Sequence, residues 1–133
     1  MKAIKYVLAG ALLLGSVAPT MAQQNEKAII DHVSQVIKNK GADFEKQVNQ
    51  LYKENKKDAQ ALLAIAKVFY NAKDLDHAIQ FVDHALARDR KLAKAYILKG
   101  DIAVSKDDAG TAAENYEQAK YFDPQDPEGY YKY

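Results

Sequence analysis

The chain has 133 residues, a length that suits one domain, and its 19 Lys and Arg nearly balance 18 Asp and Glu. That balance gives no sustained basic stripe for nucleic acid. Cysteine is absent, which excludes disulfides, thiolate metal sites, a cysteine nucleophile and a lipid anchor on an N-terminal cysteine.

Residues 1–22 read as a secretory signal peptide. Lys2 and Lys5 form a basic start, an apolar run without charge follows from Tyr6 to Val17, and Thr20 and Ala22 place small residues at the sites a signal peptidase reads. The run is shorter than the roughly 20 apolar residues a membrane-spanning helix needs, so no stable membrane insertion is expected after cleavage. Removing the leader takes two lysines and no acid, and the formal charge of +1 becomes −1. The mature protein is expected outside the cytoplasm. The leader looks bacterial, which makes the periplasm the expected compartment and secretion the alternative.

Gln23, Gln24 and Asn25 read as a flexible start. Ile29, Val33, Val36 and Ile37 then form an apolar stripe at helical spacing, with Gly41 as the expected C-terminal cap. Phe44, Val48, Leu51 and Tyr52 repeat the pattern on a second helix. Asp58 is placed to cap a third, which is apolar almost all round (Leu62, Leu63, Ile65, Ala66, Val68, Phe69, Tyr70) and therefore predicted to be covered on more than one side. Asp74 is placed to cap a fourth, with Ala78, Phe81 or Val82, and Ala85 facing inward.

From Ala93 onward the helix-pair pattern recurs. Tyr96, Gly100 and Ala103 lie on one face of a fifth helix, and Ala112, Tyr116 and Ala119 on one face of a sixth, which Pro124 ends. Gly100 would cost an isolated helix about 1 kcal/mol against Ala, so its expected use is steric, letting the neighbouring helix approach. A shift of 34 residues superposes residues 59–92 on 93–126, with identities at Ala59/Ala93, Ala61/Ala95, Asp74/Asp108, Ala78/Ala112, Ala85/Ala119 and Asp89/Asp123.

Tyr96, Gly100, Ala112, Tyr116 and Pro124 at this spacing resemble the tetratricopeptide repeat, a 34-residue helix–turn–helix unit. Lys99 and Ala103 depart from the family pattern, and Arg90 replaces the proline in 59–92. The resemblance implies an all-α fold of antiparallel helical hairpins stacked as a right-handed solenoid. Residues 59–92 and 93–126 would be repeats, and 26–58 a degenerate first repeat or capping hairpin, since Phe44 stands where Ala78 and Ala112 stand later. Residues 127–133 read as the start of a further repeat, with Tyr130 34 residues after Tyr96, or as a tail covering the last hairpin.

Nothing in the chain reads as catalytic. No glycine-rich phosphate loop or nucleophile motif occurs. His77 and His84, seven residues and so roughly 10 Å apart on one helix, are too far apart for one ion and read as solvated. No metal or cofactor is expected. The resemblance implies instead a non-catalytic scaffold that binds a peptide or helix of a partner protein in its concave groove. Residues not committed to hairpin packing point there: Gln60, Leu63, Lys67, Tyr70 and Asn71 from one repeat, and Lys94, Ile97, Asp101, Val104 and Ser105 from the next. Some relatives grip a C-terminal carboxylate with a basic, asparagine-rich clamp; only Lys67 and Lys94 have a suitable charge here, so that specificity is not implied. Two rival readings remain. The chain would be the N-terminal part of a longer envelope enzyme or assembly factor, or it would self-associate through the open end of the stack.

Overall fold

A computed structural model describes residues 21–125. The readings of the leader up to residue 20 and of the segment from residue 126 lie outside the described residues. Six helices follow one another: α1 (Met21–Lys38), α2 (Phe44–Asn55), α3 (Ala59–Asn71), α4 (Leu75–Arg88), α5 (Ala93–Ser105) and α6 (Ala109–Phe122). The fold is the all-α stack of helical hairpins that the repeat pattern implies, with no strand among the described residues.

Aspartates open three of the helices. Asp58, Asp74 and Asp108 each accept a hydrogen bond from the backbone N–H three residues on, at 3.1, 3.2 and 3.1 Å, satisfying a donor that the first helical turn leaves unpaired. The turns inside the last two hairpins share one geometry. Lys73 and Asp107, 34 residues apart, both take left-handed backbone conformations, with φ of 68° and 58°. Each is followed by an aspartate whose N–H reaches back to the preceding helix, Asp74 to Phe69 and Asp108 to Ala103, both at 2.9 Å.

Two expectations about the first hairpin are corrected. Gln23, Gln24 and Asn25 are helical, because nothing between Thr20 and Lys40 breaks a helix: no proline or glycine occurs there. Gly41 takes no left-handed conformation and is not a C-cap. Its carbonyl accepts the N–H of Phe44 at 3.1 Å and so leads into α2.

The α3–α4 and α5–α6 pairs pack most extensively, whereas α1 lies against α3 more than against its own partner α2. Six consecutive residues of α3, Ala61 to Ala66, are buried, as a helix covered on several sides requires. Phe81 and Val82 of α4 are both buried. One core runs from Val33 and Val36 through Phe44, Val48 and Leu51, across α3 and α4, to Leu92, Ala95, Leu98 and Ile102. A second lies between α5 and α6, from Ile97, Ala103, Ala112, Tyr116 and Ala119. α5 therefore serves two cores, which is why it carries no single apolar stripe.

Gly100 sits where the two helices of the last hairpin meet. A Cβ placed on it would overlap Cε1 of Tyr116 and stand 2.6 Å from Cδ1 and 2.8 Å from Cζ of that ring. At the corresponding positions of the preceding pair, Ala66 and Val82 are fully buried. The smaller Val82 goes with the larger Ala66, so each pair fills a similar space by opposite means.

Gly100→Ala is expected to lower stability by roughly 1–3 kcal/mol through overpacking, although Ala is the better helix former by about 1 kcal/mol. In a Tyr116→Val background the same substitution is expected to become neutral or favourable. Urea midpoints over this double-mutant cycle check the coupling; additive effects would mean that the two side chains do not compete for space. Lys73→Gly is expected to raise stability by up to about 1 kcal/mol, since the left-handed conformation costs an L-residue roughly 1–2 kcal/mol and the extra backbone freedom of glycine returns part of it. An unchanged or lower urea midpoint would contradict it.

Candidate functional site

α1, α3 and α5 are the first helices of their hairpins, and α3 touches both of the others. Two depressions follow the joints between them. The first, about 180 Å³, lies between α1 and α3 and is lined by Glu26, Ile30, Gln60, Leu63, Lys67 and Asn71, among others. It continues along the same helices as an open trough of about 370 Å³ that includes Ile30, Ile37, Val68 and Ala72. The second, about 190 Å³, lies between α3 and α5 and is lined by Lys67, Lys94, Ile97, Leu98 and Asp101. Lys67 borders both, so the depressions meet at its side chain.

The ten residues read from the sequence fall into distinct places. Gln60, Lys67, Asn71 and Lys94 are exposed on the rims, with Asp101 half-buried beside them. Leu63 and Ile97 form the floors and are only 3 % and 5 % exposed, so they offer a surface but no side chain that extends into the groove. Tyr70 is half-buried against the main core. Val104 and Ser105 are exposed at the end of α5 but border neither depression.

Asp101 is held in place from behind. The Tyr116 hydroxyl donates to its Oδ1 at 2.6 Å. Burial raises the pKa of Tyr116 well above the ordinary phenol range, and the Asp101 hydrogen bond and charge and the nearby Tyr70 act in the same direction. The phenol thus remains a donor across the physiological range. The ring that Gly100 makes room for in the core also orients a charged group on the groove.

The sequence reading missed the α1 wall. Ile30, 36 % exposed, stands beside the α1 stripe and continues through Ile37 into the trough. The available signal was its i, i+7 spacing to Ile37. The histidine reading is also corrected. His77 is 12 % exposed at its side chain and lies between Glu45 and Asp74, while His84 packs against Tyr52 at a ring separation of 4.1 Å and against Phe81 at 5.8 Å. Among the described residues no group of three or more His, Cys, Asp or Glu is placed to hold a metal ion, and no helix is long and apolar enough to cross a membrane.

No curated protein matches the chain. Residues 93–126 match the family model described as Tetratricopeptide repeat, and these residues span α5, the turn and α6 with Gly100 and Tyr116 at their centre. On that match and the hairpin fold, residues 93–126 form a tetratricopeptide repeat within an all-α stack of helical hairpins.

Proposed function

We propose that this chain is a non-catalytic protein–protein interaction scaffold, as its tetratricopeptide repeat suggests, that it works outside the cytoplasm in the bacterial envelope, and that it holds a peptide or helix of a partner protein along α1, α3 and α5. Residues 59–92 act as a second repeat and 26–58 as a degenerate first one. The observation that carries the reading is the meeting of the two depressions at Lys67, which makes a chain of small recesses instead of one enclosed pocket. Such a surface suits successive side chains of a polypeptide, with buried apolar floors at Leu63 and Ile97 and charged rims at Lys67, Lys94 and Asp101.

Lys67→Glu, at an exposed rim position, is expected to weaken partner capture from envelope extract by roughly 1 kcal/mol or more while the thermal melt stays put. Glu114→Lys, exposed on α6 and outside both depressions, is expected to leave capture intact. Equal capture by all three proteins would remove the groove as the binding surface. For export, the expected outcome is an intact mass beginning at Gln23 for protein recovered from the periplasm. An unprocessed chain found in the cytoplasm would contradict the envelope assignment.

A further inference from the structure

Both ring nitrogens of His77 face carboxylates, and the carboxylates come from different hairpins. Nδ1 lies 2.7 Å from Oδ2 of Asp74, at the head of its own helix, and Nε2 lies 3.1 Å from each carboxylate oxygen of Glu45, in the first turn of α2. The ring stacks on Phe69 at 5.2 Å and meets the Phe44 ring edge-on at 5.4 Å. Lys40, Lys73 and Asp76 line the same cleft with Ile37 and Ala72; the Lys40 ammonium stands 4.7 Å from the Phe44 ring centre. Three carboxylates thus share the site with the ammonium groups of Lys40 and Lys73, and Lys106, just past the end of α5, pairs with Asp76 at 3.9 Å.

A neutral imidazole has one N–H. It can donate to one of the two carboxylates and must present a lone pair to the other, whereas the imidazolium donates to both. Asp74 is the fixed partner: its Oδ1 already accepts the backbone N–H of His77 at 3.2 Å, which sets its Oδ2 on the ring. The contact that depends on the second proton is the one to Glu45. We propose that His77 is a proton-dependent latch between the first two hairpins, tying Glu45 in the first turn of α2 to the head of α4 when protonated and releasing the Glu45 side chain when it loses the proton. α2 itself stays docked in either state through Phe44, Val48, Leu51 and the Tyr52–His84 ring contact.

Burial opposes the charged ring, but the hydrogen bonds and charges of Glu45 and Asp74 outweigh it, and the His77 pKa is raised above its ordinary 6.5. A raised folded-state pKa fixes the sign. The stabilisation is fully present below about pH 6.5, the unfolded value, and is lost as pH rises through the folded value.

The test is an NMR titration of the histidine ring protons in the full chain, paired with thermal melts across pH 5.5–8.5. The expected His77 midpoint lies above 6.5, and Glu45→Gln, at an exposed position and close in shape, should bring it down. The wild-type melt should fall by a few degrees over the upper half of that range, and Glu45→Gln should flatten the fall. His84→Gln should keep it, whatever that variant's absolute stability. A His77 midpoint at or below 6.5, or an undiminished pH slope in Glu45→Gln, would overturn the latch.

Discussion

Two helices can approach closely only where one of them gives up side-chain volume, and the Gly100–Tyr116 contact is where this chain meets that constraint most sharply. With no Cβ at Gly100 of α5, the Tyr116 ring lies against the backbone and seals the second core with Ile97, Ala112 and Ala119. The ring's hydroxyl then reaches Asp101. Packing and surface chemistry are coupled through one side chain, because tyrosine has an apolar body and a polar tip. The preceding hairpin meets the same demand with Ala66 and Val82, which leave no hydroxyl to carry outward.

The first hairpin cannot use this device. Phe44 occupies the position of Ala78 and Ala112, and α1 finds its main neighbour in α3. α2 instead reaches the rest of the stack through large side chains. Phe44 meets Phe69 and His77, and Tyr52 meets His84. His77 and His84, two turns apart on α4, thus receive the two ends of α2. Ring contacts and a bridged imidazole span a wider gap than small-residue packing can, and they bring a titratable group into a helix–helix joint.

Joints between hairpins add polar ties. Lys99, where the family pattern has an apolar residue, reaches Asp83 of α4 at 3.0 Å. The Tyr96 hydroxyl donates to the Arg90 carbonyl at 2.9 Å while its ring stacks on Phe122 at 5.5 Å. The Lys99 pair is partly exposed at both ends and so adds little stability; its geometry nonetheless joins α4 to α5 on one side of the stack. The groove side is left to Lys67, Lys94 and Asp101.

Helix positions, aspartate N-caps and the pairing of the last two hairpins were legible in the sequence, because each depends on residues within one 34-residue unit. Asp58 and Asp74 announced two helix starts, Gly100 announced a close approach, and the all-round apolar α3 announced burial on several sides. What the sequence left open is set by how separate units lie against each other. Leu63 and Ile97 share the spacing of the groove residues, yet neighbouring helices cover them, and only the stacking decides that. Ile30 lay outside the Ile29–Val33–Val36–Ile37 stripe, and it borders an open trough only because α1 leans on α3. His77 looked solvated because its second carboxylate, Glu45, is 32 residues away, a separation that helical periodicity cannot bridge and tertiary packing does.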